Sequence, residues 1–376
     1  MPEKTILVLG GYGETGRRIA SHLMTRTDAR LVLVGRNGEK AKQLAAELNS
    51  RFEVERARGL RCDVNDIATL PGLFEGADFF VQAGPALPVN TVRALAKSVI
   101  ENHADWMDVQ LDPKQTAVIR ELESKIMEQG CCFAIQGGFH PGVPAALVRW
   151  AAARMDSITE AYTAGFINPK EGLILTSGVD ELIDLFSNYD TSIFKDGAWI
   201  NPGMSMSAMR DFNFGFGIGK QTTSPMNLDE MQPLPELYPT LKNTGFYVGG
   251  FDRITNYLTI PLMMAGIKLF PKVKAYTWGK LLCWSHKTFN RPPYGTCLKL
   301  EASGLKDDKP IKIELSILHD DEYELTAIPM VSTIEQMISG SVKKPGVHFM
   351  AHLTEPEKLF SDMSEMGVKL EQTPLS

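Results

Sequence analysis

Length, composition and charge narrow the class of protein. The chain has 376 residues, 44% hydrophobic and 22% charged, which is typical of a globular protein of two domains rather than a disordered chain. Its net charge of -6 and the lack of long lysine and arginine runs argue against a nucleic-acid partner.

The first elements in chain order predict a dinucleotide-binding unit. Residues 5–9 (TILVL) have the continuous apolar character of a strand buried on both faces of a parallel sheet. Gly11-x-Gly13-x-x-Gly16 follows at once, and Arg17–Met24 then has helical spacing. In this order, glycines permit a tight turn, close approach of backbone to a pyrophosphate, and close helix packing. We expect coenzyme contacts from the loop residues Gly11, Tyr12, Gly13, Glu14, Thr15 and Gly16. The alternative is a glycine-rich turn without a ligand.

The end of the second predicted strand bears on which coenzyme binds. The strand at 31–34 (LVLV) is wholly apolar and is followed by Gly35-Arg36-Asn37. An acidic residue there would bond the ribose 2′-hydroxyl of NAD, whereas a guanidinium suits the 2′-phosphate of NADP. We therefore predict NADP rather than NAD, bound through Arg36 and Asn37 with help from Lys40. A surface arginine and a solvated lysine are the alternatives.

Strands and helices go on alternating up to residue 150. The pattern predicts helices over 39–48, 67–74, 89–102, 114–128 and 145–153, and strands over 60–64, 78–82, 106–109 and 132–136. The carboxyl ends of such strands border the ligand in doubly wound sheets. We expect Asp63 and Val64 near the adenine, and Ala83, Gly84 and Pro85 near the ribose and nicotinamide. A helix-capping role for Asp63 and a plain turn at Gly84-Pro85 are the alternatives.

A series of motifs occurs along the chain in a distinctive order. They are GGYGETG, the GRN strand end, AGP after the fourth strand, WMDV, the turn GGFHPGVP, and the later segments DEYELTAIPM and SGSVKKPGVHFM. In this order they resemble the saccharopine dehydrogenase-like oxidoreductases. The resemblance implies an α/β fold, with a doubly wound parallel (Rossmann) sheet and a second α+β domain on a mixed or antiparallel sheet. It also implies NADP-dependent hydride transfer to or from a C=N or C–N bond of an imine, a secondary amine or a related small substrate.

The same resemblance, with a change of pattern after Arg154, predicts the domain organisation. We expect an NAD(P)-binding domain over 1–150, a substrate and dimerisation domain over 151–323, and a return segment over 324–376 that packs on the first domain. Within the second domain, the pattern predicts a strand over 158–167, a helix over 177–189, and an antiparallel hairpin of 294–303 with 311–319. We further expect a homodimer and an active site in the cleft between the domains.

Two residues are candidates for catalysis. Family members that act on amino acids often have a DPG turn where this chain has His140-Pro141-Gly142, which argues against an amino-acid substrate. An imidazole with an ordinary pKa of about 6.5 can donate or accept a proton near neutrality, so His140 is the first candidate. Asp108, at a strand end, is the second. The alternatives are a histidine that only bonds backbone and an aspartate that only orders a turn.

Two apolar stretches of the second domain leave alternatives open. Residues 257–270 (YLTIPLMMAGIKLF) are shorter than the roughly 20 residues that a membrane span needs, so they predict a buried or groove-lining helix. Weak contact with a lipid surface is the alternative. Residues 204–219, rich in Met, Phe and Gly, predict a filler of an irregular core or a mobile lid over an apolar substrate.

The cysteines bear on compartment and metal binding. Five cysteines, an odd number, occur without a CxxC pair or a Cys/His cluster of zinc type. We therefore expect a reducing, cytoplasmic compartment and no metal site. Two other functions stay open beside the oxidoreductase: an NADP-binding sensor or scaffold without turnover, and an enoyl or ketone reductase acting on a lipid-like substrate.

Overall fold

The computed structural model describes residues 4–173, 189–270 and 272–373, together with Ile183 and Phe186. Residues up to Ala146 and Tyr323–Met366 form one compact unit. Leu147–Glu322 and the segment from Gly367 form the other. The helix predicted over 177–189 lies, apart from Ile183, Phe186 and Tyr189, outside the described residues.

The strands and helices are numbered in chain order. The strands are β1 Thr5–Leu9, β2 Arg30–Gly35, β3 Ala57–Arg61, β4 Phe79–Gln82, β5 Asp105–Asp108, β6 Cys132–Ile135, β7 Ser157–Asn168, β8 Ile193–Lys195, β9 Ala198–Ile200, β10 Arg210–Asn213, β11 Lys220–Met226, β12 Asn243–Gly249, β13 Gly295–Lys306, β14 Lys309–His319, β15 Gly346–Phe349 and β16 Lys369–Thr373. The helices are α1 Glu14–Arg26, α2 Gly38–Phe52, α3 Leu70–Leu73, α4 Val89–Glu101, α5 Pro113–Arg120, α6 Glu123–Glu128, α7 Pro144–Ala152, α8 Leu234–Leu237, α9 Ile260–Leu269, α10 Ala275–Phe289, α11 Glu322–Ile338, α12 Met350–Leu353 and α13 Pro356–Glu365.

The first unit is a doubly wound α/β structure, as predicted. Its seven strands lie in the order β15-β6-β5-β4-β1-β2-β3, and every neighbouring pair is parallel. The continuous apolar runs form these strands because both faces of the sheet are covered. In β1, Ile6 and Val8 enter one buried cluster, while Leu7 and Leu9 enter the cluster on the opposite face. The sheet therefore presents only its strand ends to a ligand.

Three predicted elements of this unit have different bounds in the structure. The third strand ends at Arg61 rather than at Val64, because Cys62 and Val64 leave the ladder and bury their side chains in the core. The single helix predicted over 114–128 is divided into α5 and α6. The helix predicted over 67–74 is a 3₁₀ turn at Ile67–Thr69 followed by the short α3.

The segment after residue 322 contributes to both sheets. Helix α11 buries Ala327, Met330 and Ile334 in the cluster that also holds Ile6 and Val8, and β15 extends the parallel sheet beside β6. The structure differs from the expectation that 324–376 packs as a whole on the first domain. Strand β16 pairs antiparallel with β14 of the second sheet, because β14 offers an edge whose backbone groups accept a further strand.

The second unit is built on a mixed nine-stranded sheet. Its main order is β10-β11-β12-β7-β13-β14-β16, with β8 joined to β12 and β9 joined to β8. The β13–β14 hairpin is antiparallel, as predicted, and β7–β12 is the parallel pair. In the stretch 204–219, burial differs between the phenylalanines and the methionines. Phe212 and Phe214 are fully buried, whereas Met204 and Met206 are exposed, so the phenylalanines rather than these two methionines fill the core.

A helix pair carries the apolar stretch 257–270. A π-helical turn at Thr255–Thr259 leads directly into α9, and α10 packs on α9 where Gly266 meets Trp278. The predicted burial holds for one face only, because Leu262 and Leu269 are 61% and 73% exposed. Among the described residues, no helix is both long enough and apolar enough to cross a membrane.

Candidate coenzyme-binding site

Two loops meet at the point where the strand order of the parallel sheet reverses. Strand β1 lies between β2 and β4, and ligands of doubly wound sheets bind beyond the carboxyl ends of the strands at such a point. The loop that begins at Gly10 touches the loop that contains Gly84. A Cβ on Gly10 would lie 2.8 Å from the Cα of Gly84, and Gly10 has φ +78°. Only glycine is therefore compatible with this contact.

The three glycines of the motif serve different needs. A Cβ on Gly16 would lie 2.2 Å from the carbonyl oxygen of Gly10, and a Cβ on Gly11 would lie 3.1 Å from Leu33. Within 4 Å, a Cβ on Gly13 would meet only the Gly10 oxygen, at 3.1 Å. Gly11 and Gly16 thus allow the loop to pack, whereas Gly13 leaves one side of the loop open to an incoming group.

The start of α1 offers backbone donors to an anion. Gly13 is the N-cap residue and supplies no capping side chain, and Arg17 N donates to Gly13 O at 3.0 Å. The amides of Glu14, Thr15 and Gly16 precede this first helical bond, so they have no partner within the helix. The Glu14 carboxylate accepts from Arg18 at 2.7 Å. Glu14 is therefore suited to contact a phosphate through its amide rather than its side chain.

Tyr12 links the glycine loop to the end of β2. Its hydroxyl accepts a hydrogen bond from Asn37 N at 3.0 Å. Its ring covers Gly35, where a Cβ would lie 2.4 Å from Tyr12 Cε1. The Asn37 side chain caps α2 by accepting from Lys40 N at 3.1 Å. Direct contacts of Asn37 and Lys40 with the coenzyme stay predictions.

Two guanidinium groups lie at the carboxyl ends of β2 and β3. Arg36 is exposed and has no hydrogen-bond or ion-pair partner in the described part of the chain. Arg61, which the sequence analysis missed, pairs in register with Gly35. A Cβ on Gly38 would lie 2.8 Å from Arg61 Cβ, so the stem of Arg61 passes over the first turn of α2. The parallel register that brings these residues together is not visible in the sequence.

The segment after β3 contains Asp63 and Val64, the two predicted neighbours of the adenine, and they differ in exposure. Asp63 borders an open depression of about 410 Å³, lined by Leu60, Arg61, Cys62, Asp63, Asp66, Thr69, Gly72 and Leu73. The Asp63 carboxylate accepts from the Asn65 amide at 3.1 Å. Val64 is only 5% exposed and belongs to the core. Asp63 is thus accessible to a ligand, whereas the side chain of Val64 is not.

A series of glutamine amides holds the loop after β4. Gln110 Nε2 donates to Gly84 O at 2.9 Å, and Gln110 Oε1 accepts from Gln115 at 3.4 Å. Gln82, at the end of β4, donates to Gln115 at 3.3 Å. These glutamines are buried, so their bonds are costly to break. They fix the backbone of Ala83 and Gly84, while Pro85 is exposed.

Asp108 is engaged by neighbouring protein groups. Its carboxylate accepts from Gln110 N and Gln136 N, both at 3.0 Å, and from Trp106 Nε1 at 2.7 Å. Burial raises the pKa of Asp108 to about 6. The carboxylate thus joins the loops that follow β5 and β6. This arrangement favours the turn-ordering interpretation of Asp108 over a catalytic one.

His140 follows β6 and differs from its sequence-based expectation in one respect. Its ring stacks on Phe139, with ring centroids 3.8 Å apart, and burial lowers the pKa of His140 to about 4. The assumption of an ordinary pKa is therefore wrong. Near neutral pH the imidazole is uncharged, so it can accept a proton or donate a neutral N–H hydrogen bond. It does not supply an imidazolium acid.

The lowered pKa of His140 makes the stability depend on pH. Between the unfolded value of about 6.5 and the folded value of about 4, only the unfolded chain binds this proton, so the contribution of His140 to stability is lost as the pH falls. We expect His140→Gln to gain about 2 kcal/mol relative to the parent between pH 7 and pH 5. Urea unfolding at both pH values measures this change.

A matched variant checks this expectation. His103→Asn removes an exposed histidine of the same unit and should follow the parent at both pH values. If His140→Gln and the parent lost stability in parallel, the imidazole would not be held neutral by burial.

Comparisons with known proteins agree with the site geometry. Residues 6–131 match the family model of the saccharopine dehydrogenase NADP-binding domain. This match covers the coenzyme-binding part of the chain and is with the NADP-binding domain of that family. Saccharopine dehydrogenase (L-Glu forming) from Saccharomyces cerevisiae has the same fold at a TM-score of 0.68. The two chains are 14% identical, and the match covers 98% of this chain and 99% of that one.

A curated relative matches a short part of the chain. The NADP-dependent 3-hydroxy acid dehydrogenase of Schizosaccharomyces pombe is 32% identical over 72 residues, which span 19% of this chain and 27% of that protein. The family domain binds NADP, and the residues present fit this coenzyme. The open side at Gly13 admits a pyrophosphate, and the Arg36 and Arg61 guanidiniums suit a 2′-phosphate. Among the described residues, no group of three or more His, Cys, Asp and Glu side chains can hold a metal ion.

Proposed function

We propose that this chain is an NADP-dependent oxidoreductase that transfers a hydride to or from the carbon of a C=N or C–N bond. The observation that carries the proposal is the position of the Arg36 guanidinium, which lies at the β2 end and lacks a protein partner among the described residues. Tyr12 connects that strand end to the glycine loop. The pyrophosphate and the 2′-phosphate would thus be bound at adjoining places.

In this proposal, different residues of the chain bind the coenzyme and transfer the proton. Nicotinamide, when bound, supplies or accepts the hydride. The amides at the start of α1 bind the pyrophosphate, and the glutamine-supported loop at Gly84 borders the ribose and nicotinamide. His140, uncharged near neutrality, accepts the proton that leaves nitrogen when a secondary amine is oxidised. In the reverse direction the same nitrogen gains a proton as the carbon gains the hydride.

An absorbance assay tests the proposal. We expect the pure protein to oxidise NADPH, followed at about 340 nm, with a panel of preformed imines, and to prefer NADPH over NADH by at least about tenfold. His140→Gln should lose turnover yet bind NADPH as the parent does.

Other outcomes point to other functions. Tight NADP binding without turnover of imines, secondary amines, ketones or enones would favour the sensor or scaffold. Turnover of enones or ketones alone would favour a reductase acting on a lipid-like substrate. Binding of neither coenzyme would contradict every version of the proposal.

A further inference from the structure

The helix pair of the second unit exposes an unusual amount of apolar surface. In and before α9, Ile254, Tyr257, Leu258 and Leu262 are between 42% and 61% exposed. The opposite face holds the buried Thr255, Thr259, Ile260, Met263 and Gly266. A helix that is apolar all round is ordinarily buried on all sides, but here the described residues cover only one side.

The inner face is firmly held. Thr255 and Thr259 share hydrogen bonds with Ser285 of α10, at 2.8 and 2.7 Å. Gly266 lies against Trp278, where a Cβ would approach the indole to 2.4 Å. The outer face is therefore presented by a well-packed pair of helices, and its exposure does not arise from loose packing.

The connection between α9 and α10 combines apolar and basic side chains. We define the basic tip as residues 268–270 and 272–276. Leu269, Phe270 and Tyr276 are 73%, 59% and 50% exposed. Lys268, Lys272 and Lys274 alternate with them and are also exposed. The tip contains no acidic residue.

Positive charge is concentrated in the segment that forms this surface. Residues 251–294 contain seven lysines and arginines against a single acidic residue, Asp252, a net charge of +6. The whole chain has a net charge of -6, so the rest of the molecule is strongly acidic. A second copy of the same surface would bring like charges together in a symmetric contact, which disfavours self-association. A partner complementary to this surface must offer an apolar region to the exposed apolar side chains and negative charge to the lysines around them.

We infer that the basic tip and the outer face of α9 form a docking surface for an anionic lipid bilayer. Phe270 and Leu269 insert at the boundary between the headgroups and the acyl chains, and the lysines pair with lipid phosphates. Trp284, 58% exposed on α10, and Tyr276 are the amphipathic aromatics that favour such an interface. We expect binding to be peripheral and reversible, because no helix among the described residues is long and apolar enough to cross the bilayer.

Vesicle flotation tests the inference with the full chain. We expect binding to vesicles of phosphatidylcholine with about one third phosphatidylglycerol, and little binding to phosphatidylcholine alone. Changing Lys268, Lys272 and Lys274 together to serine should lower binding by at least about tenfold. The double variant Leu269→Ser, Phe270→Ser should lose a similar amount, because it removes the inserted side chains.

Matched controls separate this surface from general charge and hydrophobicity. Lys306, Lys309 and Lys312 of the β13–β14 hairpin are likewise exposed, and their serine triple variant should bind as the parent does. Met206 and Leu237 are 75% and 54% exposed, and their serine double variant controls for lost apolar area. Two results overturn the inference: equal binding by tip and control variants, or no flotation with anionic vesicles. A parent dimer that the tip variants convert to monomer, without flotation, would assign the surface to a second copy. Circular dichroism and NADP titration confirm that each variant is folded.

Discussion

Replacing Arg36 by aspartate is expected to reverse the coenzyme preference of this protein. The substitution removes a guanidinium that has no protein partner among the described residues, and it places a carboxylate where we propose that the 2′-phosphate binds. We expect the affinity for NADP to fall by about 100-fold or more. The affinity for NAD should be retained or improved, because a carboxylate at this strand end accepts from the ribose 2′-hydroxyl. Isothermal titration calorimetry with both coenzymes at one salt concentration measures the change.

Arg61 and Arg58 extend this experiment. Arg61→Ala should weaken NADP by about tenfold and leave NAD unchanged, because its stem crosses the first turn of α2 beside Arg36. Arg58 lies on the same strand, is also exposed, and is farther from the carboxyl end, so Arg58→Ala is the matched control. Unchanged NADP affinity in both Arg36→Asp and Arg61→Ala would show that the 2′-phosphate does not bind at the carboxyl ends of β2 and β3.

A valine in place of Gly13 is expected to abolish NADP binding while the protein stays folded. Gly13 has φ -74°, which any residue adopts, and a Cβ there meets only the Gly10 oxygen within 4 Å. The larger side chain would instead occupy the open side of the loop, where the pyrophosphate approaches. We expect at least about a 100-fold loss of affinity with little change in thermal unfolding.

Gly16→Val is the contrasting variant. Its Cβ would lie 2.2 Å from the Gly10 oxygen and 2.9 Å from the Cα of Gly11, and these backbone atoms cannot move away cheaply. We expect a loss of stability of several kcal/mol, typical of overpacking against fixed backbone, together with the loss of binding. Differential scanning calorimetry distinguishes the two variants. If Gly13→Val bound NADP as the parent does, the loop would be only a turn.

Most of the parallel sheet was predictable because its signals are local. The run TILVL at 5–9, with four apolar residues after Thr5, matched β1 in full, and the glycine loop and α1 followed as expected. The third strand was less predictable: the residues at 57–61 (ARGLR) are largely exposed, so the apolar pattern pointed instead to Cys62 and Val64. The return of 346–349 as a seventh strand was beyond any local pattern, since its partner β6 lies more than 200 residues earlier in the chain.

The site shows the same division between local and distant determinants. Gly11, Gly13, Gly16 and Arg36 are recognisable from the sequence because their roles follow from backbone conformation and from their order after a strand. Arg61 was missed because a guanidinium after a weak strand carries no signal without the register. The interpretation of Asp108 changed because one of its donors is Gln136 N, which follows β6 and reaches Asp108 only when β5 and β6 are paired.

The sequence by itself determined the strand–loop–helix unit, the presence of a basic residue after β2 that we propose selects NADP, and the apolar pattern of the first strands. These depend on side-chain periodicity and allowed dihedral angles over a few residues, which act in the same way in any fold. Only the tertiary structure decided the low pKa of His140 and the exposure of the apolar face of α9. Desolvation and burial are set by which distant segments cover a side chain, and that is a property of packing rather than of neighbouring residues.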